Sequence, residues 1–359
     1  MTDAPNTTAQ TVMQSARLYE LDELPPGLLD CESGELVRHL GGPTLIHLQG
    51  RREPALFVSV LMHGNETGGW DAIRTVLQGF VGENGLELPR SLSLFIGNTA
   101  AAEKKVRHLP EQPDFNRVWP GSETYGTEAH TLMRQVMDRM ADREIFAAVD
   151  VHNNTGLNPH YACVNVLEHQ SLHLAALFGR TVVYFVRPRG VASMAMAALG
   201  PSVTLECGKV GQRHGVDHAT DYLRACLHLA EIPTHPVPRH DIELYHTVAV
   251  VRVPPEHGFA FGDGDAPIRF PRDLDAMNFR DLPVGTLIAD CAPGMAQPLD
   301  VRDEQDRRVA ERYFSIEEGR LVTQVPLMPS MLTCDPTVIR QDCLCYLMER
   351  YNDHLADAG

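Results

Sequence analysis

The chain has 359 residues, of which 43% are hydrophobic and 22% are charged, as in an ordinary soluble globular protein with one large and one smaller domain. Its formal net charge of −16 argues against nucleic acid as a partner, because phosphate binding needs surfaces rich in lysine and arginine. The N-terminal residues lack the basic and apolar regions of a secretory signal, and no run approaches the roughly 18 apolar residues of a membrane span. The eight cysteines are scattered without a CxxC pair, which is typical of reduced cytosolic thiols. We therefore expect a cytoplasmic protein with no membrane partner.

Short apolar runs alternate with helical patterns after a polar lead-in at residues 1–40. The predicted strands are Thr44–Leu48, Ala55–Leu61, Ser91–Gly97, Ile145–His152, His160–Val166, Thr181–Val186 and Ser202–Cys207. The predicted helices are Glu66–Val81, Thr127–Asp142, Gln170–Gly179 and Asp217–Glu231. This alternation predicts an α/β fold with a mixed, largely parallel sheet flanked by helices, in which ligands bind where strands end.

The pattern changes at residues 231–241, EIPTHPVPRHD, where prolines recur. Beyond this segment, short β-rich runs such as TVAVVRVPP and GRLVTQVPLM are separated by Gly, Pro and Asp. We predict a main domain that carries the functional site at residues 41–235 and a smaller β-rich domain at residues 236–359.

The segment LFVSVLMHGNETGG places His63 and Glu66 directly after a strongly apolar predicted strand. Gly64 between them lets the backbone turn tightly. A His-x-x-Glu pair also occurs at three other places, in a loop, in an amphipathic helix and in the proline-rich linker. Spacing alone therefore leaves two interpretations of His63 and Glu66 open, a metal site and a polar turn.

A second predicted strand ends in IFAAVDVHNNTG, which carries Asp150, His152 and Asn153. Asp150 and His152 are two residues apart, so they share one face of a strand, where a carboxylate can orient a metal-bound imidazole. Together with His63 and Glu66, His152 forms a His₂Glu set, the ligand type of an open catalytic zinc site. The alternative for this segment is a turn or helix-capping cluster of Asn, Asn and Thr.

Two further segments supply a base and hydrogen-bond donors. SVTLECGKVG places Glu206 in an otherwise apolar strand, where a carboxylate needs a partner. KKVRHLPEQPDFNRVWPG contains Arg107, Asn116 and Arg117, which are suited to holding a carboxylate or an oxyanion. The plain alternatives are a surface carboxylate and arginines on a solvated loop, in which Asp114 braces the turn.

The segments HGNE, DFNR, DVHNNTG and TLECGK occur in the order and approximate spacing of the zinc carboxypeptidase superfamily. The chain most resembles the aspartoacylase/succinylglutamate desuccinylase branch, over most of residues 50–330, including VVRVPP and MNFRDLPVGTLIA in the C-terminal part. The resemblance implies a zinc carboxypeptidase-like fold and one Zn²⁺ per chain, held by His63, Glu66 and His152.

The resemblance also implies roles for the remaining residues. Glu206 matches the general base and acid, and Arg107 is the arginine that assists at the polarised carbonyl. Asn116 and Arg117 match the pair that binds a substrate carboxylate, and we also predict that Asn153 contacts the substrate.

These assignments imply an enzyme that hydrolyses the amide bond of a small anionic N-acyl amino acid with metal-activated water. Two alternatives stay open: a metallocarboxypeptidase that removes a C-terminal residue from a peptide, and a non-catalytic protein that binds metal or acyl amino acids. HNNTG resembles the aspartoacylases, whereas the C-terminal part resembles the desuccinylases, so the acyl group stays open as well.

Overall fold

The computed structural model describes residues 17–80 and 87–351, through which a twelve-stranded mixed sheet runs. The strands are β1 (Tyr19–Leu21), β2 (Thr44–Leu48), β3 (Ala55–Val60), β4 (Leu92–Ile96), β5 (Ile145–Asn154), β6 (Tyr161–Val164), β7 (Thr181–Tyr184), β8 (Ser202–Lys209), β9 (Glu243–Arg252), β10 (Phe259–Phe261), β11 (Ile268–Phe270), β12 (Leu287–Cys291), β13 (Asp300–Asp303), β14 (Phe314–Glu317), β15 (Arg320–Thr323), β16 (Met328–Ser330) and β17 (Cys345–Arg350). The helices are α1 (Leu36–Leu40), α2 (Gly68–Gln78), α3 (Thr99–Lys104), α4 (Glu128–Arg143), α5 (His169–Phe178), α6 (Ala192–Met196), α7 (Arg213–His228), α8 (Ala310–Tyr313) and α9 (Pro336–Gln341). Three parts of the sequence-based predictions lie outside the described residues: residues 1–16 of the predicted lead-in, the last residue of the predicted helix Glu66–Val81, and residues 352–359.

The large sheet has the strand order β1-β2-β4-β3-β5-β8-β6-β7-β9-β17-β16, and β13 also pairs with β9. The four neighbours β4, β3, β5 and β8 are parallel, while β2 and β6 run antiparallel on either side of them. In this register Val60 lies beside Val151, and His152 lies beside Glu206. The carboxyl ends of three neighbouring strands therefore meet at one edge of the sheet, which is where open α/β sheets bind ligands.

Helices cover both faces of the large sheet. Along β3, Leu56 and Val58 belong to a core shared with α2, α5 and α7, whereas Phe57 belongs to a core shared with α4 and α6. This alternation is the period of two that a strand buried on both faces shows. The predicted fold class, a largely parallel mixed sheet flanked by helices with a smaller β-rich part, is confirmed.

The smaller β-rich part is a five-stranded sheet with the order β10-β11-β12-β15-β14. It packs on a second core that includes Ile268, Phe270 and Ala289. The same part of the chain also returns to the large sheet, where β9 lies parallel to β7 and pairs with β13 and β17. The large sheet is thus continuous across residue 236, and the domain boundary there stays a prediction. Within residues 17–80 and 87–351, no helix is long and apolar enough to cross a bilayer.

Candidate active site

The loop that follows β3 carries the first two site residues. Gly64 packs so closely on α3 that a Cβ atom there would lie 2.2 Å from the backbone carbonyl carbon of Ala101. Its amide donates a hydrogen bond to the carbonyl oxygen of Arg107, at 3.0 Å. Glycine is therefore needed at this position for close approach of two backbone segments, and this packing fixes His63 at the edge of the sheet.

His63, Glu66 and His152 converge at the ends of β3 and β5. Nδ1 of His63 lies 2.8 Å from Glu66 Oε1, and Nδ1 of His152 lies 2.8 Å from Glu66 Oε2. All three side chains are buried, and their potential ligand atoms lie within 4.8 Å of one another. Two imidazole nitrogens and one carboxylate are the donor set of an open catalytic zinc site, so the residues present fit this metal.

A carboxylate stands behind each imidazole. Nε2 of His152 donates to Asp150 Oδ2 at 2.8 Å, and Nε2 of His63 donates to Asp114 Oδ1 at 3.0 Å. Asp150 is held in turn by the hydroxyl of Ser59, at 2.7 Å on the neighbouring strand β3. Such outer hydrogen bonds fix the ring orientation and direct Nδ1 of each imidazole towards the metal side.

The charges of this group favour a bound cation. Burial raises the pKa of Glu66, but the His63 and His152 rings outweigh burial and hold this pKa below its usual range. Burial lowers the pKa of His152, yet Asp150 and Glu66 together raise it well above its usual range. Both nitrogens of each imidazole lie next to carboxylate oxygens. The negative charge of these carboxylates stabilises positive charge at this place, either from protonated rings or from a bound divalent cation.

Glu206 lies on β8, directly beside His152 in the sheet. Its side chain is buried, and Oε2 accepts a hydrogen bond from the side-chain amide of Asn154 at 3.3 Å. Burial raises the pKa of Glu206 to about 8, although the neighbouring His152 opposes the shift. A carboxyl group with a pKa near neutrality can both accept and return a proton, as a general base and acid must.

The donor-rich loop is held by Asp114. Its Oδ1 accepts from the backbone amide of Asn116 at 2.7 Å, and its Oδ2 accepts from Nε and Nη2 of Arg107 at 3.1 and 2.8 Å. The Asn116 amide nitrogen lies 3.3 Å from Nε2 of His152. Asp114 thus braces the turn, as one interpretation of the sequence held, and also contacts His63 directly.

Asn153 is buried next to His152, with both ends of its side-chain amide bonded to backbone groups. Oδ1 accepts from the amide of Gly68 at 2.9 Å, and Nδ2 donates to the carbonyl of Gly208 at 3.2 Å. Its backbone amide lies 3.2 Å from Glu66 Oε2. Asn153 therefore ties the start of α2 to the end of β8, and its predicted contact with substrate stays a prediction.

A cavity of about 90 Å³ opens beside these side chains. Eight of the nine predicted site residues line it: His63, Glu66, Arg107, Asn116, Arg117, His152, Asn153 and Glu206. Asp150, the ninth, lies behind His152. The structure therefore brings together all the residues selected from the sequence, and their individual roles stay predictions.

The sequence-based prediction missed Asp342, which also lines the cavity and binds Arg117 at 2.8 Å. No local pattern marks this aspartate, because it lies beyond the last residue of α9, far along the chain from the other site residues.

Ser59 and Asn154 were missed as well. A hydroxyl in the apolar strand ALFVSV is the signal that could have found Ser59, because a buried polar group needs a partner.

Comparison with known proteins shows which protein family this chain matches. The model of the succinylglutamate desuccinylase/aspartoacylase catalytic domain matches residues 52–231, half of the chain. The matched segment contains the three clustered residues His63, Glu66 and His152 together with Glu206. A search of curated proteins found no significant match.

Several solved structures share the fold. The succinylglutamate desuccinylase of Chromobacterium violaceum is 17% identical, with a TM-score of 0.55 over 84% of this chain and 86% of that one. That of Vibrio cholerae is 15% identical, with a TM-score of 0.57 over 88% of each chain. Murine aminoacylase 3 is 14% identical, with a TM-score of 0.53 over 84% of this chain and 97% of that one. At these identities, the likeness shows the shared fold.

Proposed function

Given that the chain belongs to the succinylglutamate desuccinylase/aspartoacylase family, we propose that it is a zinc-dependent hydrolase of the amide bond in small N-acyl amino acids. The observation that carries this proposal is the position of the buried Glu206 on the strand next to His152, beside the His63–Glu66–His152 cluster. A donor set for a metal and a carboxyl group for proton transfer lie at one strand edge, on one small cavity.

His63, Glu66 and His152 would hold one Zn²⁺ per chain, with Asp150 and Asp114 orienting the two rings. Zinc bound there would lower the pKa of a coordinated water towards about 7 and polarise the substrate carbonyl. Three protein ligands would leave a coordination position for the reaction, as catalytic zinc sites require.

Glu206 is proposed to move the proton in both halves of the reaction. Its carboxylate accepts a proton from the attacking water and returns it to the nitrogen of the leaving amine. The pKa of about 8 that burial gives this carboxyl group suits both steps near neutral pH. The hydrogen bond from Asn154 holds Oε2 in place, so the group is oriented before substrate binds.

Arg107 and the Asn116–Arg117 pair are proposed to hold the charges of the substrate. Nη1 of Arg107 lies 3.8 Å from Glu66 Oε1, close enough to the clustered side chains to stabilise the oxyanion that forms at the carbonyl. Asn116 and Arg117 would bind the carboxylate of the amino acid, for which a guanidinium offers a bidentate partner. All three residues line the same cavity.

The shape of the cavity supports an acyl-amino-acid hydrolase over a carboxypeptidase. Met331, Asp342 and Tyr346, from the C-terminal part of the chain, form part of its wall. A cavity that the C-terminal part of the chain walls in on one side suits a small substrate, whereas a peptidase needs an open groove for the rest of the peptide.

The proposal is tested by metal analysis and a substrate panel. We expect the purified protein to hold one Zn²⁺ per chain and to hydrolyse N-acetyl or N-succinyl amino acids faster than dipeptides. His63→Ala should lose the metal and the activity. His228→Ala is the matched control, because His228 belongs to another His-x-x-Glu pair, at the end of α7. Zinc-loaded protein that hydrolyses no member of the panel would contradict the proposal.

A further inference from the structure

Asp342 places a carboxylate between the two arginines of the candidate site. Its Oδ1 and Oδ2 lie 2.8 and 2.9 Å from Nη2 of Arg117, and Oδ2 lies 3.1 Å from Nη2 of Arg107. The aspartate side chain is 16% exposed, and the side chain of Arg107 is 9% exposed. An internal carboxylate therefore occupies the position that the proposed function gives to a carboxylate of the substrate.

The backbone around Asp342 is anchored on both sides. Its amide donates to the carbonyl of Val338 in α9, at 2.9 Å, and its carbonyl accepts from Nε of Arg252 at 3.2 Å. The strand β17, which begins three residues later, pairs with β9 of the large sheet. Burial raises the pKa of Asp342, but Arg117 and Arg107 outweigh burial, so the group is ionised at neutral pH.

The remaining arginine of the cavity wall is also paired. Arg187 forms an ion pair with Glu123 and donates from Nε to the carbonyl oxygen of Glu304. Each of the three arginines that line the cavity thus already has a carboxylate partner within the protein. An incoming carboxylate therefore gains Arg117 only in exchange with Asp342, and a second carboxylate would have to displace a further internal partner, Glu123 from Arg187.

The lining of the cavity also contains apolar side chains. These are Val183, Phe185, Val191 and Met331, together with Cys163. Burying a carboxylate against these side chains carries a large desolvation penalty, whereas an uncharged group gains from the apolar contact.

We propose that Asp342 is a specificity-determining residue that restricts the site to substrates with a single carboxylate, namely N-acyl amino acids whose acyl group is uncharged. The inference rests on the proposed function and selects among its substrates. Asp342 acts as a competitor for the guanidinium of Arg117 and as a negative charge that repels any second carboxylate.

The first test uses the unmodified zinc-loaded protein and needs no variant. N-acetyl, N-butyryl and N-succinyl derivatives of one neutral amino acid are compared by kcat/KM. We expect kcat/KM for the acetyl and butyryl derivatives to exceed that for the succinyl derivative by about tenfold or more. The carboxylate of the succinyl group would lack a partner, and one unpaired charge of modest interaction strength corresponds to about a tenfold loss. A preference for the succinyl derivative would overturn the inference while leaving the proposed function intact.

The second test replaces the internal carboxylate. Asp342→Asn frees the guanidinium of Arg117 and removes a negative charge, so the relative kcat/KM for the succinyl derivative should rise by about tenfold, and KM for the acetyl derivative should fall. Asp281→Asn is the control, because it makes the same charge change at an aspartate that is 75% exposed. The Tm of each variant shows that it is folded.

The outcomes separate the two proposals. A folded Asp342→Asn variant with the same acetyl-to-succinyl ratio as the unmodified protein would overturn the role of Asp342. A shift of equal size in Asp281→Asn would overturn it too, because the effect would then be one of net charge. Absence of turnover on every substrate by the unmodified zinc-loaded protein would overturn the proposed function, and this inference with it.

Discussion

Asp150 and His152 lie two residues apart on β5, and Asp150 Oδ2 accepts a hydrogen bond from His152 Nε2 at 2.8 Å. Residues two apart in a strand point to the same face, so the strand itself sets this pair. Ser59 on β3 donates to the other oxygen of Asp150, at 2.7 Å. The carboxylate is therefore fixed from both sides, and it fixes the imidazole in turn.

Asp150→Asn is expected to weaken zinc binding without removing it. The amide keeps the volume of the carboxylate but loses its charge, so His152 becomes a poorer ligand, and such changes typically reduce metal affinity by about 10- to 100-fold. Competition with a chromophoric chelator measures the dissociation constant. Asp138→Asn, at an exposed position on α4, is the control for the change of charge. Equal dissociation constants for the two variants would contradict the role given to Asp150.

Glu206→Gln is expected to separate chemistry from metal binding. Glutamine cannot accept the proton of the attacking water, so turnover should fall by about 10²- to 10⁴-fold, the usual contribution of general acid–base catalysis. The zinc content should stay at one per chain, because Glu206 is not among the three clustered ligand residues. Glu231→Gln, at an exposed position, is the control. A Glu206→Gln enzyme with nearly unchanged kcat would remove this residue from the mechanism.

Gly64→Ala is expected to destabilise the site loop and the fold. The added Cβ would lie 2.2 Å from the backbone of Ala101, and overpacking of this kind typically lowers the free energy of unfolding by roughly 1–3 kcal/mol. Thermal unfolding measures the loss as a lower Tm. Gly34→Ala is a matched control, because its Cβ would lie 3.7 Å from the carbonyl oxygen of Ala102, an ordinary contact on the same helix. Equal Tm values for the two variants would show that the loop can move away from α3.

The strand ends of the site could be predicted from the sequence because each strand end is marked by a short run of neighbouring residues. An apolar run followed by polar residues marks where β3 and β5 leave the sheet, and parallel neighbours bring those ends together. The single glutamate in β8 follows the same logic. In the structure the ends of β3, β5 and β8, which carry His63, His152 and Glu206, lie at one edge of the sheet, as this rule predicts.

The contribution of the C-terminal part could not be predicted in the same way. Asp342 contacts Arg117 across 225 residues of sequence, and nothing in its own segment distinguishes it from an ordinary charged residue of a helix end. The return of β9 and β17 to the large sheet is equally non-local, because β-rich patterns do not say which sheet a strand joins. Pairings of this kind depend on the assembled fold, whereas strand ends depend on a few neighbouring residues.

A cluster of three histidines, formed by His160 before β6 and by His214 and His218 in α7, predicts how stability depends on pH. Nδ1 of His160 lies 2.8 Å from Nδ1 of His218, and the ring of His214 stacks on His160 with centroids 5.1 Å apart. Burial lowers the pKa of His160, and the neighbouring rings of His218 and His214 lower it further. One of the two facing nitrogens must stay unprotonated to accept the hydrogen bond.

Protonation of His160 should therefore oppose folding. Its pKa is lower in the folded state than the value of about 6.5 in the unfolded chain, so the unfolded chain binds more protons in this range. The resulting stability is complete above pH 6.5 and is lost as the pH falls from there through the folded pKa. We expect the Tm of the unmodified protein to fall more steeply between pH 7.5 and 5.5 than that of His160→Asn, which cannot titrate. His228→Asn, at an exposed position on α7, should keep the slope of the unmodified protein. Parallel slopes for the unmodified protein and His160→Asn would show that this cluster does not titrate with folding.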